Sequence, residues 1–116
     1  MFYIEFYKLK NGREPVKDFL DELPIKMRIK ALDGITILQE KGNALREPYS
    51  KIVAKGLFEL RIKFGSDNTR IFYFFYAANK IILTNGFLKK SKKTSKLELE
   101  RALKYKNDYE GGISDG

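Results

Sequence analysis

A set of cationic side chains surrounds three apolar runs in the second half of the sequence. Its members are Arg61, Lys63, Arg70, Lys89, Lys90, Lys92 and Lys93. The planar guanidinium group of arginine matches phosphate oxygens in pairs, and the lysine ammonium adds mobile positive charge. The set therefore favours a surface that binds a phosphodiester backbone, although such cations also keep an exposed sheet face soluble.

The sequence contains neither histidine nor cysteine. This excludes a serine–histidine triad, a histidine-pair ribonuclease, a zinc site built on either residue, and a disulfide framework. Proton transfer must then use Lys, Tyr, Asp or Glu. Arginine stays protonated to above about pH 12, whereas like charge makes it easier for a lysine to lose its proton. The candidates for proton transfer are therefore Lys63, Lys90 and Lys93, with Glu59 as a rival.

Four tyrosines are candidates for proton transfer to RNA or for stacking on its bases. Tyr73 and Tyr76 remain open as proton-transfer groups, but their apolar surroundings in the sequence are more typical of core or stacking residues. Tyr49 and Tyr3 are expected at the surface. A nucleic-acid base stacked on either ring would gain about 1–3 kcal/mol.

The cations are attached to a predicted meander of three strands, which lie near residues 57–64, 69–77 and 80–88. In the first strand apolar residues alternate with Glu59, Arg61 and Lys63, and this period indicates one buried and one solvated face. The second is aromatic and β-branched throughout, which is typical of a central strand. We expect the three charged residues to share the solvated face, and Arg70 to be exposed at the start of the second strand.

Helical periodicity predicts three helices, at residues 15–23, at 25–41 and from Ser95 to about Tyr109. The second helix has a predicted core-facing stripe formed by Ile25, Ile29, Leu32, Ile35 and Leu38. The third begins with a capping box in which Ser95 accepts from the backbone and Glu98 reaches back. The segment 43–55, which contains Lys51 and Lys55, is predicted to be a loop.

With a further strand near residues 2–9, these elements predict an α+β fold. Its sheet is expected to be four-stranded and mainly antiparallel, with the two N-terminal helices packed on one face and a C-terminal helix. Residues 1–110 are expected to form one domain and 111–116 a flexible tail, because glycine and polar residues at a terminus fray.

Composition bounds the function further. The net charge of +8 and pI near 9.6 favour a polyanionic partner. No window approaches the roughly 18 apolar residues of a membrane span, and the N-terminus lacks the apolar core of a signal peptide. We expect a cytoplasmic protein without a membrane or cofactor requirement. We also expect no metal, because the carboxylates of the first helix are typical of a solvated face.

Three blocks of the sequence resemble the RelE/HigB/ParE superfamily of bacterial toxins, and more closely its phage-derived, HigB-like branch. They are LFELRIKFG, TRIFYFF and GFLKKSKKTSKLELERALKYKNDY. The resemblance covers the chain from Met1 to about Tyr109. One departure is visible: where that branch has a proline after lysine and threonine, Ser95 follows Thr94.

The resemblance implies the toxin of a type II toxin–antitoxin system that cleaves mRNA on the ribosome without a metal. In that family the ribose 2′-OH attacks the adjacent phosphate and leaves a 2′,3′-cyclic phosphate. The implied partners are a HigA-like helix-turn-helix antitoxin, the ribosome and mRNA, with operator DNA reached only through the antitoxin. The alternative is a ParE-type toxin, which has the same fold and inhibits DNA gyrase by protein contact without nuclease activity.

The resemblance also assigns residues. It places Arg70 at the reacting phosphate, Arg61 and Lys63 on the preceding strand, and Lys89 and Lys90 after the last strand. The predicted catalytic residues are Arg61, Lys63, Arg70 and Lys90. The predicted RNA-binding residues are Lys51, Lys55, Lys89, Lys92 and Lys93. The tyrosine that RelE uses has no clear counterpart, so the general acid or base is not carried over.

Overall fold

The computed structural model describes residues 1–93 and 95–111. The elements follow the order β1 (Tyr3–Phe6), α1 (Pro15–Glu22), α2 (Ile25–Lys41), β2 (Ser50–Ala54), β3 (Leu57–Phe64), β4 (Asp67–Tyr76), β5 (Lys80–Leu88) and α3 (Lys96–Tyr109). A single 3-10 turn, Gly42–Ala44, follows α2. Within the described part of the chain, no helix combines the length and apolar character needed to cross a membrane. Most of the predicted tail, residues 112–116, lies outside the described residues.

The sheet has five strands in the order β1-β5-β4-β3-β2. β1 runs parallel to β5, and the other neighbouring pairs are antiparallel. The predicted four-stranded sheet is therefore wrong: the protein has a mixed α+β fold with a five-stranded sheet and three helices. The missing strand is β2, which was predicted to be loop. It is a short edge strand with polar residues and one neighbour, so it lacks the apolar alternation that reveals a strand in a sequence.

Helices cover both faces of the sheet. On one face, α1 and α2 pack on Leu60, Ile71 and Leu83. On the other face, α3 packs through Ala102 against residues that include Phe72. Because β4 contributes to both cores, both of its faces are apolar, as expected for a strand that is covered on two sides.

The core-facing stripe predicted for α2 is wrong in part. The buried residues of the helix are Met27, Ala31, Ile35 and Leu38. Three residues of the predicted stripe are instead exposed: Ile25 by 62%, Ile29 by 52% and Leu32 by 45%. Both sets have helical spacing, so periodicity identified the helix but did not decide which apolar face is buried.

Gly34 sets how closely α2 approaches the sheet. A Cβ atom at this position would lie 3.0 Å from Cγ1 of Ile62 on β3, which is tighter than ordinary contact. The absent side chain therefore lets the middle of α2 lie directly against β3. This contact brings the exposed flank of α2 next to the charged end of the sheet.

The start of α3 differs from the predicted capping box. Ser95 accepts a hydrogen bond from the backbone N–H of Glu98 at 3.2 Å, as expected. The Glu98 carboxylate does not complete the box but accepts from the Asn85 side chain on β5, at 3.0 Å. The cap therefore also attaches α3 to the sheet.

Candidate nucleic-acid interface

The pairing of β3 with β4 brings the two central arginines together. Arg61 lies directly opposite Arg70 in the register of the two strands, and opposite residues of an antiparallel pair point to the same face. The face is the one that α3 covers farther along, where Leu57 and Phe72 are buried. The register therefore sets the two arginines side by side on one face of the sheet.

Glu59 lies buried between the two arginines. Its side chain is only 1% exposed, and its Oε1 accepts a hydrogen bond from Nε of Arg61 at 3.2 Å. Nε of Arg70 lies 3.6 Å from the same oxygen, which is an ion pair too long for a hydrogen bond. The expectation that Glu59 lies on a solvated face is wrong, because the arginine side chains cover it. We call Glu59, Arg61 and Arg70 the arginine cluster.

Arg70 is also more buried than the sequence predicted. The residue is 8% exposed, so it is not an exposed strand-end arginine. Burial lowers the pKa of Arg70, the Glu59 carboxylate raises it, and the nearby Arg61 lowers it further. An arginine nevertheless keeps its charge at neutral pH. The cluster thus places a fixed positive charge in a poorly hydrated site, where its interaction with an anion is strong.

The arginine cluster leaves two buried polar atoms without a hydrogen-bond partner in the described part of the chain, Oε2 of Glu59 and Nε of Arg70. Leaving such an atom unpaired costs about 1–3 kcal/mol. Natural proteins carry few of these atoms, and functional sites are one of the places where they persist. The arrangement is therefore costly for stability, which is consistent with a site shaped by function.

Arg70 forms part of two adjoining clefts. The α2 cleft, of about 440 Å³, has three boundaries. They are α2, strand β3 and the segment that precedes β2. The polar residues at its wall are Lys30, Asp33, Tyr49, Arg61, Lys63 and Arg70. The β5 cleft, of about 680 Å³, lies between the β3–β4 turn and the end of β5. Its wall includes Asn68, Arg70, Lys89, Lys90 and Lys92. All four residues predicted to be catalytic therefore line one or both clefts.

The remaining predicted RNA-binding residues lie outside the two clefts. Lys51 is an exposed residue of β2 and borders a separate depression with Arg46. Lys55 is exposed in the turn between β2 and β3. Lys93 is exposed beyond the end of β5 but does not line either cleft. Their positions extend the positive surface without contributing to its concave part.

The tyrosines separate into core and surface groups. Tyr73 is buried, its hydroxyl lies 2.5 Å from that of Ser50, and burial raises its pKa. Tyr76 packs edge-on against Tyr109 at the far end of β4. Tyr3 lies on β1, at the sheet edge opposite β2. Only Tyr49, 61% exposed, lies in the α2 cleft, where its carbonyl accepts a 2.9 Å hydrogen bond from the Arg61 N–H.

Sequence reasoning missed Lys30 and Asp33, which it did not name as candidate site residues. They are one turn apart on α2 and border the α2 cleft. No pattern in the sequence could have found them, because the packing of α2 on β3 decides which helix flank meets the charged strand ends. Asn68, in both clefts, was read only as turn chemistry.

Across residues 1–93 and 95–111, no group of three or more carboxylate, histidine or cysteine side chains is placed to hold a metal ion. The cationic groups of the two clefts are donors only. The chemistry that this arrangement supports is the binding of an anion and the stabilisation of negative charge, with lysines near the arginine cluster for proton transfer.

A search of the curated proteins finds no match. A family model described as Phage derived protein Gp49-like (DUF891) matches residues 18–107. The matched region runs from α1 into α3 and contains the arginine cluster and both clefts. Since the match covers well over half of the sequence, the chain belongs to the Gp49-like phage-derived family, whose members are toxin-like proteins related to the RelE and HigB type.

Proposed function

We propose that the protein is the toxin of a type II toxin–antitoxin system and a ribosome-dependent, metal-independent mRNA endonuclease. The observation that carries this proposal is the arginine cluster. Glu59 holds Arg61 and Arg70 side by side in a largely buried position, and lysines lie in the clefts on both sides. Family membership supports the toxin, and the cluster supports the nuclease.

The reaction needs only groups that this chain supplies. The ribose 2′-OH attacks the adjacent phosphorus, so that the O2′–P bond forms and the P–O5′ bond breaks. The proton of the 2′-OH passes to a base, the O5′ leaving group gains a proton, and the products are a 2′,3′-cyclic phosphate and a 5′-OH. Arg61 and Arg70 would bind the non-bridging oxygens and stabilise the charge that develops on them.

Lysines on the two sides of Arg70 suit the proton transfers. In an in-line displacement the attacking and leaving oxygens lie on opposite sides of the phosphorus. Lys63 lines the α2 cleft, and Lys89 and Lys90 line the β5 cleft, while Arg70 lines both. We therefore assign the proton transfers to Lys63 on one side and Lys90 on the other. Lys93 is a weaker candidate because it lines neither cleft.

Glu59 is better suited to positioning than to proton transfer. Its carboxylate offsets part of the repulsion between the two guanidinium groups and fixes the Arg61 side chain through a hydrogen bond. It is almost fully buried beneath the arginines. A base must reach the proton that it removes, to within about 2.6–3.2 Å. Glu59 would instead keep both arginines ready for the phosphate.

The predicted RNA-binding lysines fit the larger partners, the ribosome and mRNA. The net charge is +8, and such a charge steers the encounter with a polyanion. Lys51 and Lys55 on the β2 side, together with Lys89, Lys92 and Lys93 beyond β5, extend the positive surface from both clefts. In this proposal they bind RNA backbone, in the cytoplasm, without taking part in the reaction.

An antitoxin of the HigA-like helix-turn-helix type is the proposed protein partner. The exposed stripe of Ile25, Ile29 and Leu32 offers it an apolar contact on α2, and the positive clefts favour acidic segments. Operator DNA would be contacted only through the antitoxin. Ile29→Ser should weaken the toxin–antitoxin complex in a pull-down with the cognate antitoxin. Leu103→Ser, at an exposed residue of α3, is the matched control and should not.

Analysis of the RNA ends tests the nuclease. In a purified translation system, the protein should cut mRNA only when ribosomes are present and should leave 2′,3′-cyclic phosphate ends. A single 2′-deoxy substitution at a mapped cut site should abolish that cut, because the nucleophile is gone. Products with 3′-OH ends, or cutting at the 2′-deoxy site, would overturn the mechanism. Growth inhibition without any RNA cleavage would instead favour the ParE-type alternative, in which the target is gyrase.

A further inference from the structure

The α2 cleft contains more than a phosphate site requires. Part of its wall is apolar, formed by Ile37 and the ring of Tyr49, which are 45% and 61% exposed. Large apolar side chains at the rim of a concave site are typical of ligand-binding surfaces. A phosphate group gains nothing from them, whereas the flat face of a nucleobase stacks on an aromatic ring.

The α2 helix also brings one cationic and one anionic side chain to the cleft. Lys30 and Asp33 are one turn apart on α2. Among the described residues, neither side chain takes part in a hydrogen bond or an ion pair, not even with the other. The cleft therefore presents one carboxylate acceptor and one ammonium donor whose hydrogen-bonding capacity is unused. A nucleobase edge, which alternates donors and acceptors, is complementary to such a pair.

The position of the α2 wall is fixed by packing and not by flexible loops. Gly34, next to Asp33, lets α2 lie against Ile62 of β3. On the other side, the hydrogen bond from the Arg61 N–H to the Tyr49 carbonyl ties the aromatic wall to the same strand. Both walls are thus attached to β3, which also carries Arg61 of the phosphate site. Because Arg61 and Arg70 also line this cleft, a base in it and a phosphate at the arginine cluster would be neighbours.

We propose that the α2 cleft binds the RNA base next to the scissile phosphate and selects guanine. Guanine alone has two adjacent N–H donors, N1 and N2, that match both oxygens of the Asp33 carboxylate, and its O6 accepts from Lys30. Adenine, cytosine and uracil each offer the carboxylate a single donor group on that edge. Tyr49 stacks on the base without distinguishing among the four. This inference rests on the proposed nuclease, because it uses the same phosphate site.

The first test measures binding without the ribosome. The isolated chain is titrated with the 3′-monophosphates of guanosine, adenosine, cytidine and uridine, followed by NMR shifts of its backbone amides. We expect guanosine monophosphate to bind about tenfold more tightly, the discrimination typical of one bidentate contact. Asp33→Asn should remove that preference. Asp21→Asn, at an exposed acid of α1 that pairs with Lys17, is the control and should retain it.

Tyr49→Ala separates stacking from edge recognition. It should weaken all four nucleotides by about tenfold, since stacking on an aromatic ring does not depend on the base. Their order of affinity should not change. Equal affinity of the wild-type chain for the four nucleotides, or a guanine preference that survives Asp33→Asn, would overturn the inference. Neither result would affect the proposed nuclease, because no cleavage is involved.

The second test maps cleavage on ribosome-bound mRNA by primer extension. Wild-type cuts should be enriched at phosphates next to a guanine. Asp33→Asn should reduce the cuts next to guanine and leave the remaining cuts spread over all four bases. A cut pattern that is unchanged by Asp33→Asn would overturn the inference even if cleavage itself is confirmed. If the wild-type chain does not cleave mRNA but still prefers guanosine monophosphate in the titration, only the assignments of Arg61 and Arg70 fail, and the inference stands.

Discussion

Two clusters of buried polar side chains on the same face of the sheet differ in how many of their polar atoms form hydrogen bonds. The α3 anchor consists of Thr84, Asn85 and Glu98. Thr84 donates to Asn85 at 2.7 Å, and Asn85 donates to the backbone carbonyl and the carboxylate of Glu98 at 3.1 and 3.0 Å. In the arginine cluster, by contrast, one carboxylate oxygen and one guanidinium nitrogen lack a partner in the described part of the chain.

The difference indicates that the two groups have different roles. A fully satisfied buried network stabilises one packing arrangement, and the α3 anchor attaches a helix to β5. The arginine cluster places two cations against one buried anion, with only the exposed Glu47 carboxylate beside Arg61 at 4.0 Å, and it leaves polar atoms unpaired, at a cost in stability. An anionic ligand would compensate the excess charge. If this comparison is right, substitutions in the cluster should affect cleavage more than stability, and substitutions in the anchor should do the reverse.

Arg70→Ala should have the largest effect. Cleavage on the ribosome should fall by about 10²–10³, the usual value of one preorganised charge-stabilising donor. Because Arg70 is buried beside Glu59, the free energy of unfolding should also fall, by about 1–3 kcal/mol. Arg70→Lys should restore only part of the activity, since a point charge does not replace the planar fork.

The control for Arg70 is Arg13→Ala. Arg13 is an exposed residue that precedes α1 and pairs with Asp18 of that helix. The substitution should leave cleavage unchanged. Primer extension gives the rate, and circular dichroism confirms that each variant is folded. Full cleavage by folded Arg70→Ala protein would remove the arginine cluster from the reaction.

Glu59→Gln should have the next largest effect. The substitution keeps the shape of the side chain but removes the charge that holds Arg61. A hydrogen bond to a charged group is worth about 1.5–3 kcal/mol, so kcat should fall by roughly tenfold to a hundredfold. KM should change little, because both arginines remain to attract the phosphate.

The pH–rate profile distinguishes positioning from proton transfer at Glu59. If Glu59 only positions the arginines, the profile of Glu59→Gln should keep its shape at a lower level. If the variant instead lost the fall in rate on the acidic side of the profile, Glu59 would be identified as the base. Lys63→Met and Lys90→Met should change the profile, because these lysines are the proposed proton-transfer groups.

Asn85→Ala breaks the anchor. It removes two hydrogen bonds to Glu98, so the free energy of unfolding should fall by about 1–3 kcal/mol. Cleavage by the folded fraction should change less than about twofold. Asn107→Ala, at an exposed residue of α3, is the control and should leave stability within about 0.5 kcal/mol. Urea denaturation measures both, and a larger effect of Asn85→Ala on cleavage than on stability would contradict the comparison.

The sequence predicted the members of the candidate site better than their environment. Alternation along β3 and the short turn to β4 placed Arg61 and Arg70 on neighbouring strands, but the register that sets them opposite each other was found only in the structure. The burial of Glu59 could not be predicted, since alternation assigns a residue to a face but not the depth at which its neighbours cover it. The role of Lys30 and Asp33 likewise depends on how α2 packs on β3.

The fold was predicted least well where an element has few neighbours. β2 was missed because an edge strand does not need an apolar pattern. Three exposed residues of α2 were assigned to its core face together with the buried Ile35 and Leu38, because the helix has apolar residues on two sides and a single sequence does not rank them. These regions depend on tertiary contacts, whereas α1 and β3 to β5 are determined by local patterns.

The smallest predicted effect concerns pH and the far end of α3. Tyr7 donates a 2.6 Å hydrogen bond to Asp108, and burial followed by that bond raises the pKa of Tyr7 above its ordinary value of 10. Burial and the nearby Glu5 raise the pKa of Tyr109 to about 12. In the folded protein these phenols stay protonated above pH 10, whereas the unfolded chain loses its protons there. Stability from this source is therefore complete below pH 10 and declines as the pH rises further.

Tyr7→Phe should change that decline. At neutral pH it should lower the free energy of unfolding by about 1 kcal/mol, because one hydrogen bond is lost. Above pH 10 the two free energies of unfolding should approach each other, because only the wild type loses stability by keeping Tyr7 protonated in the folded state. Urea midpoints at pH 7, 9 and 10.5 measure this. Tyr3→Phe, at an exposed tyrosine of β1, is the control and should run parallel to the wild type. A constant difference between Tyr7→Phe and the wild type at all three pH values would exclude this bond as the source of the alkaline slope.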